Sequence, residues 1–215
     1  MPFGYPVFLE LGGRKAVVIG EAAVRAGKVE GLLEAGCEHV LVIATEPARR
    51  IAVWDAEDPR VLVERRAWRP EDLDGAFIVV ASSDDEDERA SIALESRRRG
   101  VLANVMDDVP SCDWAAPSVV RRGDLVLAIS TGGRSPALAK RLRLELSELF
   151  GPEWVDVVEV LGAVREETLV SIPNLSERSK RWARALDLDE AAQLIRDGRR
   201  DELGDRLRSR LLEDA

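Results

Sequence analysis

Four stretches of this chain carry residue types and spacings that could do chemistry. The first is Val17-Val18-Ile19-Gly20-Glu21-Ala22-Ala23-Val24-Arg25, an apolar strand, a glycine and the opening of a helix. A dinucleotide fingerprint belongs at such a place, because glycine makes the tight turn and the following backbone lies against a pyrophosphate. Gly20 can make the turn, with Ala22, Ala23 and Val24 as the cofactor-facing backbone. The second fingerprint glycine is replaced by Ala22 and the third by Arg25, and Glu21 adds a carboxylate near the expected pyrophosphate. Arg25 could offset that charge by pairing with phosphate. A strand–glycine–helix turn is equally at home as plain α/β architecture.

The second stretch is Ala44-Thr45-Glu46, where a second strand would end and a ribose would be read. Ala44 and Thr45 are candidate cofactor contacts; Glu46 reads either as a ribose ligand or as a solvent-facing loop acid. Third are Ser82 and Ser83 after a fourth strand, whose hydroxyls suit ribose or phosphate and equally suit an ordinary loop. Fourth is Ser130-Thr131-Gly132-Gly133-Arg134-Ser135-Pro136. Two glycines expose backbone N–H groups, Ser135 suits a helix N-cap and Pro136 a first helical position. The turn reads as an anion site or as a capped helix entrance. Asp107-Asp108-Val109-Pro110 follows a fifth strand and, by spacing alone, is turn chemistry.

Composition narrows the field. The net charge of -9 argues against general nucleic-acid binding. Arg97-Arg98-Arg99 and Arg199-Arg200 sit among acids and read as solvated helix faces. The single histidine, His39, abuts a strand, so neither a Ser/His/Asp triad nor a zinc site of the usual kind is expected. Cys37 and Cys112 lack CxxC spacing and read as reduced, partly buried thiols. No run approaches the roughly 20 apolar residues of a membrane span, and Met1–Leu11 lacks a signal peptide's pattern; the expectation is a cytoplasmic protein.

The positioning elements follow from periodicity. Strands are predicted at Ala16–Ile19, Val40–Ile43, Val61–Val63, Phe77–Val80 and Val101–Val105, with the continuous Val/Ile content of strands buried on both faces. One helix is predicted over Ala22–Ala35, its Gly27 and Gly31 lying close against the sheet and Gly36 closing it. The order strand, helix, strand, strand, strand, helix, strand implies a Rossmann-like, doubly wound α/β domain. A strand at Leu125–Ile129 then leads into a helix with Leu138, Leu142, Leu146 and Leu149 on one stripe. From Glu153 the pattern is helical, with Trp154, Val157, Val158 and Leu161 on one stripe. The layout is residues 1–112 as a nucleotide-binding domain, 113–150 as a central segment and 151–215 as a helical domain.

Several pieces together resemble one family: Tyr5-Pro-Val-Phe-Leu-Glu-Leu, Lys28, Gly31-Leu-Leu-Glu-Ala-Gly, Ala81-Ser-Ser-Asp-Asp, Asn104-Val-Met-Asp-Asp, Pro117-Ser118 and Ile129-Ser-Thr-Gly-Gly-Arg-Ser-Pro-Ala-Leu-Ala. They look like the precorrin-2 dehydrogenases, including the dehydrogenase–ferrochelatase half of sirohaem synthases. The resemblance implies NAD-dependent oxidation of precorrin-2 to sirohydrochlorin, insertion of ferrous iron in some members, and a homodimer joined through the central segment. It places the key carboxylate at Asp107, as a general base, and puts Asn104, Thr131, Gly132 and Arg134 at the tetrapyrrole. A carboxylate beside an apolar macrocycle has a raised pKa, which suits proton transfer near neutrality. The chain departs from the family at Gly20-Glu21-Ala22, where Gly-Gly-Gly is usual, and at Arg89, where Asn often stands. Those departures admit a second function, a tetrapyrrole chelatase or binding protein with a degenerate nucleotide site. A third, a nucleotide-sensing module of a transport system, has no evident need for the Ser130–Ala139 motif.

Overall fold

The structure, a computed structural model, describes residues 4–25, 27–46 and 49–212; of these, the side chains of Val24, Arg25, Arg49, Arg50 and Ala52 are not described. It divides into two compact units, Met1–Ala116 and Pro117–Ala215.

The first unit is built on five strands, β1 (Lys15–Ile19), β2 (His39–Ile43), β3 (Val61–Glu64), β4 (Ala76–Ala81) and β5 (Leu102–Val105). Each lies within a residue of its predicted bounds. All pair in parallel in the order β3-β2-β1-β4-β5, so the connections reverse direction between β1 and β4. Side chains alternate across the sheet. Ala16, Val18, Val40, Val42, Ile78 and Val80 face one core with Val29, Leu32, Cys37 and Ile51. Val17, Ile19, Ile43, Val79, Ala81 and Ala103 face the other with Leu73, Ile92 and Val101. Two cores on one sheet are why its strands read as unbroken apolar runs.

The predicted single helix is two: α1 (Glu21–Arg25) and α2 (Lys28–Glu34). Gly27 between them is left-handed at φ 70°, which α-helix cannot continue through. Gly31 does not mark close packing, since a Cβ there would meet nothing within 4 Å. Gly36 closes α2 as expected, at φ 82° with its N–H on the Leu33 carbonyl. The sequence reading also missed α3 (Arg49–Glu57) between β2 and β3. Its described buried anchor is the single Ile51, too little to show a stripe. Helix α4 (Glu86–Arg99) begins on an Asp85 cap that accepts from Asp87 N–H at 2.9 Å and ends at Gly100. Its arginine run is a solvated, ion-paired end, with Arg98 on Glu95 and Arg99 on Asp74.

The second unit opens with a hairpin, β6 (Ser118–Arg122) and β7 (Leu125–Ile129), joined by Gly123-Asp124. Strand β6 was missed because its Ser-Val-Val-Arg-Arg is too polar to stand out. Helix α5 (Pro136–Leu149) starts as predicted, with Ser135 Oγ accepting from Leu138 N–H at 3.2 Å. Its leucine stripe, however, is not core: no α5 residue is buried, and Leu149 is 67% exposed. The core of this unit lies among α6 (Trp154–Ser171), α7 (Leu175–Ala185), α8 (Leu188–Arg196) and α9 (Arg200–Leu212). On α6 the buried stripe runs through Trp154, Val157, Val160, Val164 and Thr168 rather than Val158 and Leu161. Among the described residues no helix is long and apolar enough to cross a membrane.

Candidate functional site

The carboxyl ends of the five strands are tied to one another by continued ladder bonds. Gly20 N–H donates to the Ile43 carbonyl at 2.9 Å, Ser82 N–H to Ile19 at 2.8 Å, Met106 N–H to Ala81 at 2.8 Å and Ala44 N–H to Glu64 at 3.2 Å. Above them lies a cleft of about 480 Å³, lined by Gly20, Glu21, Ala22, Ala44, Thr45, Arg66, Trp68, Ser82, Ser83, Arg89 and Asp107 among others. That volume is in the range of cofactor and small-molecule sites, roughly 300–1,000 Å³. Its place, at the reversal between β1 and β4, is where open parallel sheets bind ligands.

Gly20 is at φ 87°, and a Cβ there would lie 2.1 Å from the Ser82 carbonyl oxygen. Only glycine fits, so the turn and the end of β4 are one packed unit. Ser82 completes it: its hydroxyl accepts from Ala23 N–H at 2.9 Å and donates to the Ile19 carbonyl at 3.4 Å. Ser82 thereby holds the turn. Ala23, an expected cofactor contact, is fully buried and outside the cleft lining, its amide bonded to Ser82. Val24 lies on α1, its side chain outside the described ones.

Glu21 does not point its charge at a pyrophosphate as expected. Its Oε1 accepts from Thr45 N–H at 2.9 Å, Thr45 Oγ1 at 2.8 Å and Glu46 N–H at 3.1 Å. The Glu46 amide and the Thr45 hydroxyl hold this carboxyl below its ordinary range, against a smaller opposing effect of burial. Glu46 is itself exposed, the solvent-facing alternative. Ser83 donates to Glu88 and accepts from Asp85 N–H at 3.1 Å, at the rim of the cleft. Three lining residues were not expected in the lining from the sequence. Arg66 forks onto Asp72 at 2.7 and 2.8 Å, Trp68 follows it, and Arg89 donates to the Ser83 carbonyl at 2.8 Å. Only Arg89 had been singled out, and as a departure rather than as a lining group.

Asp107 follows Met106 at the end of β5, exposed on the cleft. Its φ of 62° makes it the only described non-glycine residue in the left-handed region. Such a conformation costs on the order of 1 kcal/mol and persists where the surroundings impose it. The surroundings are explicit. Cys112 Sγ accepts from Val105 N–H at 3.2 Å and lies 3.3 Å from the Asp108 carbonyl, and Asn104 Nδ2 donates to the Trp114 carbonyl at 2.9 Å. Burial pushes the Cys112 thiol up, keeping it protonated as this wedge requires. Asn104, expected at the substrate, lies outside this cleft's lining and joins β5 to the Trp114 segment.

In the second unit the Ser130–Arg134 turn is closed on itself. Thr131 Oγ1 donates to the Ser135 carbonyl at 3.2 Å and accepts from Ser135 N–H at 3.1 Å. Gly132 and Gly133 are left-handed at φ 60° and 78°, Gly132 N–H donates to Ser130 Oγ at 3.1 Å, and Arg134 is exposed.

Comparison with known proteins joins these features. Residues 7–118 match a family model described as putative NAD(P)-binding, and residues 122–149 one described as sirohaem biosynthesis protein, central. Siroheme synthase 1 of Pectobacterium atrosepticum is 32% identical over 209 residues, 96% of this chain and 42% of that protein. Siroheme synthase 1 of Serratia proteamaculans is 34% identical over 177 residues, 82% of this chain and 37% of that protein. The chain therefore spans about two fifths of the length of these relatives. A solved structure named "SirC, precorrin-2 dehydrogenase" superposes with a TM-score of 0.72 at 24% identity, covering 95% of this chain and 99% of that one, and so shares the fold. With more than half its length in the first model, the chain belongs to the putative NAD(P)-binding family that this model describes.

Proposed function

We propose that this chain oxidises precorrin-2 to sirohydrochlorin with NAD as electron acceptor. The observation that carries the reading is one cleft, at the switch point of a five-stranded parallel sheet, that holds both the Gly20 turn and Asp107. Its lining suits a dinucleotide: the exposed Ala22 at the turn, the Ser83 and Thr45 hydroxyl oxygens as acceptors for ribose hydroxyls, and the Arg89 guanidinium. NAD, when bound, supplies the hydride acceptor.

The oxidation removes one hydrogen with its electron pair and a second as a proton, giving sirohydrochlorin, NADH and a proton. The chain has to supply the group that takes this proton. Asp107 is exposed on the cleft with its backbone fixed by the Cys112 and Asn104 bonds, which holds a carboxylate where a substrate meets the sheet end. A carboxylate positioned against the macrocycle is a competent acceptor for that proton. The Thr131–Arg134 turn is proposed to hold substrate carboxylates through its glycine N–H groups and Arg134. Helix α5, with no buried residue in the single chain, is proposed as the face of a homodimer, and cytoplasmic residence goes with the same reading. Ferrous iron, where inserted, would be a further substrate at Asp107.

Asp107→Gly tests the assignment sharply. Glycine relieves the left-handed strain, so melting temperature should hold or rise. The dehydrogenase rate should fall about 10²- to 10⁴-fold, the usual worth of a positioned acid or base. A rate within threefold of the unaltered protein would remove Asp107 from the chemistry. The Ala22 methyl on the cleft favours one other reading, a tetrapyrrole chelatase or carrier that has lost its dinucleotide. Calorimetric titration decides it: no NAD binding up to millimolar, with a tetrapyrrole still bound, would replace the dehydrogenase by that reading.

A further inference from the structure

In a doubly wound sheet, the loop after the second strand meets the adenosine ribose of a dinucleotide. There, a carboxylate accepts from the 2′-hydroxyl, or cationic and N–H donors hold a 2′-phosphate. In this chain the end of β2 offers three converging donors, the N–H groups of Thr45 and Glu46 and the Thr45 hydroxyl. Such a donor set is a small anion cradle. It is filled from within, by Glu21, which reaches across from the turn after β1.

We propose that Glu21 is a specificity-determining residue, a built-in carboxylate that occupies the 2′-phosphate position and makes the cleft select NAD over NADP. The proposal rests on the dinucleotide reading above. All three donors converge on Oε1. The second carboxylate oxygen is then the natural acceptor for a ribose hydroxyl, while a 2′-phosphate would meet a negative charge on donors already engaged. Like charges brought that close in a partly desolvated cleft repel by more than one further hydrogen bond returns. The neighbouring cation does not reverse this. The Arg66 guanidinium lies in the same cleft, but its fork is closed on Asp72, with Glu64 3.6 Å from its Nε. Glu46, three residues past Ile43 and the sequence's candidate for this role, contributes its amide to holding Glu21.

The test is calorimetric titration of the full chain with NAD and with NADP, alongside Glu21→Gly and Glu21→Gln. The unaltered chain should bind NAD at least tenfold more tightly than NADP. Glu21→Gly empties the cradle, and the ratio should shift toward NADP by tenfold or more. Glu21→Gln keeps an acceptor but loses the charge and should shift it less. Thr45→Val, which removes one donor and leaves the charge, should weaken both dinucleotides without changing their ratio. A merely structural Glu21 would lower both affinities together. A ratio unmoved in Glu21→Gly would therefore overturn the proposal, as would equal binding of NADP by the unaltered chain. Binding of neither dinucleotide by the unaltered chain would bring down the dinucleotide reading and this inference with it.

Discussion

Two of the glycine turns that follow strands, at Gly20 and at Gly132-Gly133, are held in opposite ways. The Gly20 turn is fixed from far away in sequence: Ile43 receives its amide, and Ser82 closes over it with backbone and hydroxyl. The Gly132-Gly133 turn is fixed by its own neighbours, through Ser130, Thr131 and Ser135. The first is a product of the assembled sheet and tolerates nothing added. The second is a local motif that would survive modest change. A site of the first kind gains precision, because its shape is set by the stiffest part of the molecule; a site of the second kind leaves its atoms on the surface, where a partner can reach them.

The largest expected effect breaks the first turn. In Gly20→Ala the methyl would lie 2.1 Å from a backbone oxygen that cannot withdraw without opening the β1–β4 ladder, and the φ of 87° adds strain. A loss of about 4 kcal/mol is expected, at the upper end for single substitutions, read by denaturant unfolding. A loss below about 1 kcal/mol would mean that the turn is not pinned by Ser82.

The difference between the turns also explains what could be read in advance. Strands were legible because burial on both faces leaves an apolar run that needs no partner information, as in Phe77–Val80. The Ser135 cap and Pro136 were legible because capping is a property of adjacent residues. The α1–α2 break was not, since Gly27 reads as an ordinary weak helix position until its φ is known. Nor was the role of Glu21, whose partners lie 24 and 25 residues away. The bonds of Asn104 Nδ2 to the Trp114 carbonyl and of the Ala23 amide to Ser82 were equally out of view, since their partners lie 10 and 59 residues away. Leu138 to Leu149 matched a core pattern because helical periodicity marks an apolar face without saying what covers it.

Charge gives a second way to sharpen the contrast. Beside the first site, Asp72 is buried with Arg66 and the Arg69 amide; in the helical unit the pairs of Arg200 with Glu159 and Arg208 with Glu167 are on the surface. Burial raises the Asp72 carboxyl, but its hydrogen bonds from Arg66 and Arg69 outweigh this and leave it below its ordinary value of 3.8. A carboxyl depressed in the folded state stabilises fully above that ordinary value, and the contribution disappears as pH falls through the lower folded value. Asp72→Asn should therefore cost on the order of 1 kcal/mol at pH 7, since Arg66 is only half-buried and solvent screens the pair, and converge on the unaltered protein as pH falls below about 4. The surface pairs, screened by solvent, should contribute little by comparison. Parallel stability curves for the unaltered and Asp72→Asn chains across that range would show that the buried pair does not set the acid limb.

The smallest effect belongs to the second turn. At Gly133 a Cβ would meet nothing within 4 Å, so only the φ of 78° opposes a side chain. Gly133→Ala should cost about 1 kcal/mol, the left-handed penalty by itself, less what alanine regains by restricting the unfolded chain. Because Thr131 and Ser135 still bond each other, α5 should keep its start, and helical circular dichroism should be unchanged. A penalty as large as that of Gly20→Ala would show that something packs against Gly133 in the working protein. The exposed turn would then be covered by a partner surface, and the contrast between the two turns would hold only for the single chain.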